Sequence, residues 1–123
     1  MNAPEPHELF FIPEGHSKVE AVEDTRLPNT TTYTIYREDH TLGTILTSVL
    51  QKQKTTLFAA YKVPHPLEHN IQIRIQTTPQ FTPQAALISA LETSISEWNS
   101  LDKNFITAVE NFRNNPQQEK NFH

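Results

Sequence analysis

Two short groups of residues carry side chains that could do chemistry, and both contain histidine. His65 and His69 stand four positions apart, a spacing that on a helix would direct two imidazoles toward one metal ion. Pro64 and Pro66 disfavour a helix there, because a proline supplies no backbone donor. The chain has no cysteine and no third ligand type nearby, so the sequence predicts no metal site.

The second group, Glu38, Asp39 and His40, places two carboxylates beside an imidazole, as a general base and its orienting group would stand. Adjacent residues seldom adopt that geometry, and no paired nucleophile is evident. Asp39 is better interpreted as the N-cap of the following helix, with Thr41 as the alternative cap. The chain has only two glycines, which are too few for a glycine-rich phosphate loop. We therefore predict a protein that is not an enzyme and that uses no cofactor.

Composition restricts the remaining classes of function. The chain has 123 residues, 36 % of them apolar, so we expect one domain with a modest core that a partner helps to stabilise. The net charge is -4 without a Lys/Arg cluster, whereas nucleic-acid-binding domains carry a basic face, so the isolated chain is not expected to bind DNA or RNA. No stretch approaches the ~20 apolar residues of a membrane span, and the N-terminus lacks the features of a secretory signal. An intracellular protein is expected.

Hydrophobic periodicity predicts the strands of an α+β domain. Strands are expected within residues 18–25 and over residues 30–36, which are rich in β-branched and aromatic types. Residues 57–63 indicate a strand buried on much of both faces. Residues 64–69 form a loop, and residues 70–77 alternate between isoleucine and polar types, as in an antiparallel sheet with one wet face.

The first helix follows Asp39 and has a single apolar stripe, at helical spacing. Gly43 lies inside it and costs up to ~1 kcal/mol relative to alanine. Two interpretations stay open: a local irregularity near the helix start, or the close approach of another backbone. The stripe consists of Leu42, Ile45, Leu46, Val49 and Leu50.

The second helix is predicted over residues 83–112, with Thr82 as N-cap and Pro83 in the first helical position. About 30 residues at 1.5 Å each span roughly 45 Å, whereas a compact domain of this size is about 35 Å across. We therefore expect its end to project and to present an interface. The alternative is a helix that bends or packs wholly on its own domain. The predicted interface residues are Leu91, Ile95, Trp98, Phe105, Val109 and Phe112.

These elements divide the chain into three parts. Residues 1–17 are interpreted as an N-terminal extension, whose apolar run over residues 9–12 needs cover from the core or from a neighbour. Residues 18–112 form the domain. Residues 113–123 are polar and are predicted to be a disordered tail.

A family resemblance appears at the first helix. His40, Thr41, Leu42 and Gly43 match the motif His-Thr-Leu-Gly-Asn-x-Leu of the alpha-like subunits of cellular RNA polymerases. Thr44 stands where that family usually has Asn. The runs Leu-Phe-Ala-Ala-Tyr-Lys-Val at 57–63 and Ile-Arg-Ile-Gln-Thr at 73–77 resemble its third and fourth strands. The N-terminus and the 64–69 loop resemble the polymerase II branch rather than the branch shared by polymerases I and III.

The resemblance implies an order β-β-α-β-β-α, with a four-stranded antiparallel sheet backed by helices and a long C-terminal dimerisation helix. It implies a nuclear, non-catalytic subunit that pairs with the larger alpha-like subunit, the third of polymerase II, as a platform for the catalytic large subunits. The interface would add the first helix, through His40, Thr41, Leu42, Gly43 and Leu46. A different class, a small α+β enzyme or ligand-binding domain, would have to use His40, His65 and His69.

Overall fold

The computed structural model describes residues 12, 15 and 17–115. Most of the predicted N-terminal extension and residues 116–123 of the predicted tail lie outside them. The described elements follow the order β-β-α-β-β-α, which confirms the predicted α+β class and element order. They are β1 (Val19–Glu23), β2 (Thr30–Tyr36), α1 (His40–Lys52), β3 (Thr56–Lys62), β4 (Asn70–Thr77) and α2 (Pro83–Asn114).

The four strands form one antiparallel sheet in the order β1-β2-β4-β3. Its helix-facing side includes Ile71, Ile73 and Ile75, which are fully buried, whereas Gln72 and Arg74 between them are partly exposed. Successive side chains of a strand point to opposite faces. The alternation predicted for β4 is therefore confirmed, and the sheet has one covered and one wet face.

The hydrophobic core lies between this sheet and one side of the two helices. From α1, Leu46 and Leu50 are fully buried against the sheet, and Val49 is nearly so. From α2, Ala86, Leu87 and Ala90 close the same core. Burying a leucine side chain of this kind contributes about 1.5–3 kcal/mol, so the stability of the isolated chain comes from α1, the central strands and the beginning of α2.

Side-chain caps define where both helices begin. Asp39 is the N-cap of α1, and its Oδ1 accepts from the backbone N of Thr41 at 3.0 Å. Thr82 caps α2, where its Oγ1 accepts from Ala85 N at 3.1 Å, and Pro83 occupies the first turn. Both predicted caps are confirmed. The helix α2 ends at Asn114, two residues beyond the predicted end, so Arg113 and Asn114 belong to it rather than to a tail.

The turn between β1 and β2 is held by one carboxylate. Asp24 accepts from Arg26 N at 2.7 Å and Leu27 N at 3.0 Å, and Arg74 Nη2 lies 2.6 Å from its Oδ2. The two backbone donors, with the Arg74 charge as a further cause, lower the pKa of Asp24. This carboxylate therefore ties the turn to β4 in its ionised form.

Strand β3 differs from its prediction. It occupies Thr56–Lys62 at the edge of the sheet, and Leu57 and Phe58 are exposed rather than buried. The register shifts between Thr56 and Phe58, which marks an irregularity at Leu57. An apolar run does not distinguish a central strand from an edge strand, because the difference depends on which strands pair in the folded chain.

Candidate partner-binding surface

The long helix α2 consists of two differently covered parts. Its buried residues are Pro83, Ala86, Leu87, Ala90 and Ser94, all in its first twelve positions. Residues 95–114 are exposed, except for Val109, which is half-buried. At 1.5 Å per residue this second part is about 30 Å long. The prediction that α2 leaves its own core is confirmed.

The exposed part, together with Leu91 one turn before it, carries an apolar face, here called the α2 stripe. Its members recur at intervals of three, four and seven residues, which places them on one side of the helix. Phe105 is 67 % exposed, Ile95 61 % and Trp98 57 %. Exposed runs of large apolar side chains are rare on monomeric proteins and are typical of interaction surfaces. The α2 stripe comprises Leu91, Ile95, Trp98, Phe105, Val109 and Phe112.

A cleft between the helices connects the α2 stripe to α1. It has a volume of about 290 Å³, and Trp98 and Leu101 form its α2 side. On the α1 side it is lined by Ile45, Ser48, Val49 and Lys52. Trp98 therefore belongs both to the stripe and to the cleft, so a partner that packs on the stripe would also meet the second half of α1.

The beginning of α1 presents a polar group beside an aromatic ring. His40 and Thr41 are exposed, and Leu42 is half-buried against the core. The His40 Nδ1 lies 3.0 Å from the hydroxyl of Tyr61, and the Thr44 Oγ1 lies 3.1 Å from the same hydroxyl. The His40 and Tyr61 rings meet edge to face, with centroids 5.7 Å apart.

Two residues of the predicted interface lie inside the chain instead of on this surface. Leu46 is fully buried in the core. Gly43 is buried beneath Tyr61, since a Cβ on Gly43 would stand 2.5 Å from the Tyr61 Cδ2. The group that approaches this glycine is thus a side chain of the same chain, not another backbone. Both residues shape α1 from within because the sheet already occupies their side of the helix.

The sequence patterns did not single out Tyr61 or the cleft. Tyr61 stood in the run assigned to β3, and its contact with α1 depends on strand pairing that periodicity does not reveal. The glycine inside a helical pattern was the available signal, because it indicated a close approach without naming the group. Ile88, Leu101 and Ile106 are also exposed apolar residues of α2 that the predicted interface omitted.

The histidines of the alternative enzyme hypothesis are not assembled into a site. His65 is exposed in the loop after β3, and His69 is half-buried, with its backbone O accepting from Glu38 N at 3.1 Å. Across residues 12, 15 and 17–115, no three His, Cys, Asp or Glu side chains are grouped so as to hold a metal ion. None of the helices in that part of the chain has the length and apolar character to cross a membrane.

Two tyrosines have raised pKa values without forming a reactive centre. Burial raises the pKa of Tyr33 within the core. The hydrogen bond from the Tyr36 hydroxyl to Glu20, 2.8 Å long, raises the pKa of Tyr36 on the opposite face of the sheet. Both phenols therefore stay protonated at neutral pH.

A long helix that carries an exposed apolar face beyond its own core is typical of a domain that binds another protein. Residues 30–104 match the family described as the RNA polymerase Rpb3/Rpb11 dimerisation domain. The chain belongs to this family, as its resemblance to the alpha-like subunits predicted.

Named relatives cover almost the whole chain. The chain is 42 % identical over 114 residues to the DNA-directed RNA polymerase II subunit rpb11 of Dictyostelium discoideum, covering 93 % of this chain and 95 % of that one. It is 40 % identical to the probable RNA polymerase II subunit RPB11 of Caenorhabditis elegans, with 99 % of each covered. For RPB11 of Schizosaccharomyces pombe the identity is 38 %, over 86 % of this chain and 85 % of that one.

A solved structure has the same fold. The crystal structure of DNA-directed RNA polymerase subunit L from Thermoplasma acidophilum superposes with a TM-score of 0.64 and covers 80 % of this chain and 96 % of that one. The sequence identity is 20 %, so this likeness supports the fold alone. It confirms the predicted sheet backed by two helices, the second of them long.

Proposed function

We propose that this chain is the small alpha-like subunit of DNA-directed RNA polymerase II, a non-catalytic subunit that pairs with the larger, Rpb3-type subunit. The observation that carries the proposal is the α2 stripe, about 30 Å of helix whose apolar side chains are exposed in the isolated chain, apart from the half-buried Val109. Membership of a dimerisation-domain family, and relatives named as polymerase II subunits, support the same partner.

The pairing surface in this proposal has an apolar centre and a polar end. Trp98, Phe105 and Phe112 are the anchors, since aromatic residues dominate the binding energy of most interfaces. The cleft beside Trp98 would receive an apolar side chain of the partner. The polar end is the beginning of α1, where His40 and Thr41 are exposed and Leu42 is half-buried. Gly43 and Leu46 support this surface from the interior.

The role of the pair is assembly. An alpha-like pair serves as the platform on which the catalytic large subunits of the polymerase come together, and catalysis belongs to those subunits. The net charge of -4 agrees with a position away from the nucleic acid. As part of polymerase II the chain would act in mRNA transcription in the nucleus. It needs no cofactor of its own for that role.

The second candidate is the equivalent subunit shared by RNA polymerases I and III, which would use the same fold and the same surface. The residues of the N-terminus and of the 64–69 loop favour the polymerase II member. The relatives that match over 86–99 % of this chain are also named as polymerase II subunits.

The test is purification of the tagged chain from nuclear extract, with the bound proteins identified by mass spectrometry. Recovery of the Rpb3-type subunit with the polymerase II large subunits is expected. Recovery of polymerase I and III subunits would assign the chain to the second candidate. Absence of every polymerase subunit would contradict both.

Trp98 is the only tryptophan of the chain, so burial of its indole should also shift its fluorescence to shorter wavelength when a tryptophan-free partner fragment is added.

A further inference from the structure

The side chain of Tyr61 crosses from β3 onto the first turns of α1. Its ring lies over Gly43, where even a methyl group would stand 2.5 to 2.8 Å from three ring carbons. Side chains at i and i+4 of a helix share a face, so His40 and Thr44 lie on one side of α1. The Tyr61 hydroxyl sits between them, 3.0 Å from His40 Nδ1 and 3.1 Å from Thr44 Oγ1.

The hydroxyl can satisfy both neighbours at once. A phenol has one hydrogen to donate and lone pairs to accept. When His40 Nδ1 is unprotonated, Tyr61 donates to it and accepts from the Thr44 hydroxyl. When Nδ1 carries a hydrogen, the direction of both bonds reverses. The ring of His40 is therefore held by a hydrogen bond at Nδ1 and by the edge-to-face contact with Tyr61.

Because the Tyr61 hydroxyl is hydrogen-bonded to Nδ1 of His40, the other ring nitrogen, Nε2, is available to a partner. If Nδ1 accepts from Tyr61, the neutral ring carries its hydrogen on Nε2, and the imidazolium also has a hydrogen there. His40 is exposed, so this Nε2 hydrogen can be donated to a carbonyl or carboxylate oxygen of a bound protein. A ring already held in one orientation loses less freedom on binding than a free one.

We propose that Tyr61 is a positioning residue for partner binding: it orients His40 so that the Nε2 hydrogen is donated to an acceptor oxygen of the partner. This inference rests on the proposed pairing with the Rpb3-type subunit. His40 begins α1, and the cleft beside Trp98 is lined on α1 from Ile45 onward, five residues or about 8 Å along the helix, so a partner seated in the cleft can also reach the polar contact. The anchors supply most of the affinity, and the His40 contact sets the orientation of the pair.

The test is a double-mutant cycle with Tyr61→Phe and His40→Ala, with the full-length chain and the Rpb3-type subunit as the measured pair. Tyr61→Phe keeps the ring over Gly43 and removes only the hydroxyl. It should weaken binding about three- to tenfold, as loss of one hydrogen bond does. In the His40→Ala background the same substitution should change affinity less than about twofold, because the residue it acts through is gone.

Tyr36→Phe is the matched control. It also removes a phenol hydroxyl that is hydrogen-bonded, to Glu20 at 2.8 Å, but on the sheet face away from the helices. Its affinity for the partner should equal that of the wild type. Imidazole ¹⁵N spectra of the isolated chain give a readout that does not need the partner. The His40 Nδ1 resonance, assigned by its loss in His40→Ala, should shift in Tyr61→Phe because the hydrogen bond at Nδ1 is lost.

The outcomes separate this inference from the proposed function. A wild-type chain that fails to bind the Rpb3-type subunit overturns the pairing and this inference with it. A wild type that binds, together with an unchanged affinity of Tyr61→Phe or equal effects in both His40 backgrounds, overturns the positioning role alone. An unchanged His40 Nδ1 resonance in Tyr61→Phe would also overturn it.

Discussion

The first twelve residues of α2 and its last twenty or so carry similar side chains, yet their surroundings differ completely. In the first part, Leu87 and Ala90 are buried between the sheet and α1. In the second part, Trp98 and Phe105 are more than half exposed although they are larger. The apolar pattern continues at heptad spacing across the boundary near Ser94. What changes there is only whether the chain's own sheet still lies beneath the helix.

The comparison teaches that an apolar stripe predicts that its side chains become buried, but not which surface covers them. The first part of α2 completes a core that belongs to the chain. The second part is mostly exposed in the isolated chain, and in our proposal the partner subunit covers its apolar side chains. Substitutions in the first part should therefore change the stability of the isolated chain. Substitutions in the second part should change its affinity for the partner.

The largest effect is expected for Phe105→Glu in the exposed part. A carboxylate in a dry helical seam is costly unless it is paired, so binding to the Rpb3-type subunit should weaken more than 100-fold, about 3 kcal/mol or more. The free energy of unfolding of the isolated chain should change by less than about 0.5 kcal/mol. Calorimetric titration and urea unfolding measure the two quantities.

The control for Phe105→Glu is Thr107→Glu, which adds the same charge two residues on, about 200° around the helix. Thr107 is exposed and lies off the α2 stripe. Its substitution should leave affinity within about threefold of the wild type. Equal losses in both variants would mean that net charge, rather than the stripe, controls pairing. The same contrast is expected for Phe112→Glu.

A somewhat smaller effect is expected for Leu87→Ala in the buried part. Truncation of this core leucine should reduce the stability of the isolated chain by about 2–3 kcal/mol. The adjacent Ile88 is 46 % exposed, so Ile88→Ala should cost less than about 1 kcal/mol. Urea unfolding of the two variants provides the comparison. Similar losses at both positions would show that burial of Leu87 against the sheet does not determine its contribution to stability.

A third effect concerns Gly43, which is buried within the chain beneath Tyr61. Gly43→Ala should destabilise the isolated chain by about 1–2 kcal/mol through overpacking against Tyr61, despite the better helix propensity of alanine. In a Tyr61→Ala background the ring is absent, and the same substitution should become stabilising by up to about 1 kcal/mol. Thermal unfolding of the four chains tests this reversal. A destabilisation of the same size in both backgrounds would remove Tyr61 as its cause.

The smallest effect is electrostatic and concerns the stability of the chain rather than its pairing. The folded-state pKa of Asp24 is lowered from 3.8, first by its backbone donors and then by Arg74. A lowered pKa contributes stability that is present above the unfolded value and is lost as the pH falls through the folded value. Thermal unfolding from pH 6 to pH 2.5 should show a smaller acid-induced loss in Asp24→Asn than in the wild type. Pairing at neutral pH should be unaffected by the substitution.

Much of the fold could be predicted because local rules apply at its boundaries. Asp39 and Thr82 cap the helices, and the alternation around Ile73 assigns one face of β4. Each of these depends on residues a few positions apart. The edge position of β3 was not predictable in this way, because its apolar run is compatible with burial and only strand order exposes it.

The candidate partner-binding surface was likewise predictable only in part. The length and spacing of α2 were sufficient to predict that Trp98, Phe105 and Phe112 leave the core, because a helix of that length exceeds the width of a domain this small. The positions of Gly43 and Leu46 were not, because both lie on the side of α1 that the sheet covers. The role of Tyr61 was hidden for the same reason.

By itself, then, the sequence determined the element order, the helix caps, the alternation of β4 and the overhang of α2, since each depends on local spacing or on length. Only the tertiary structure decided which apolar residues the chain covers with its own sheet and which it leaves open. It also decided that Tyr61, 21 positions from His40 in the chain, would hold that histidine at the start of α1. Contacts of this kind arise from strand pairing between distant segments, and no local pattern encodes them.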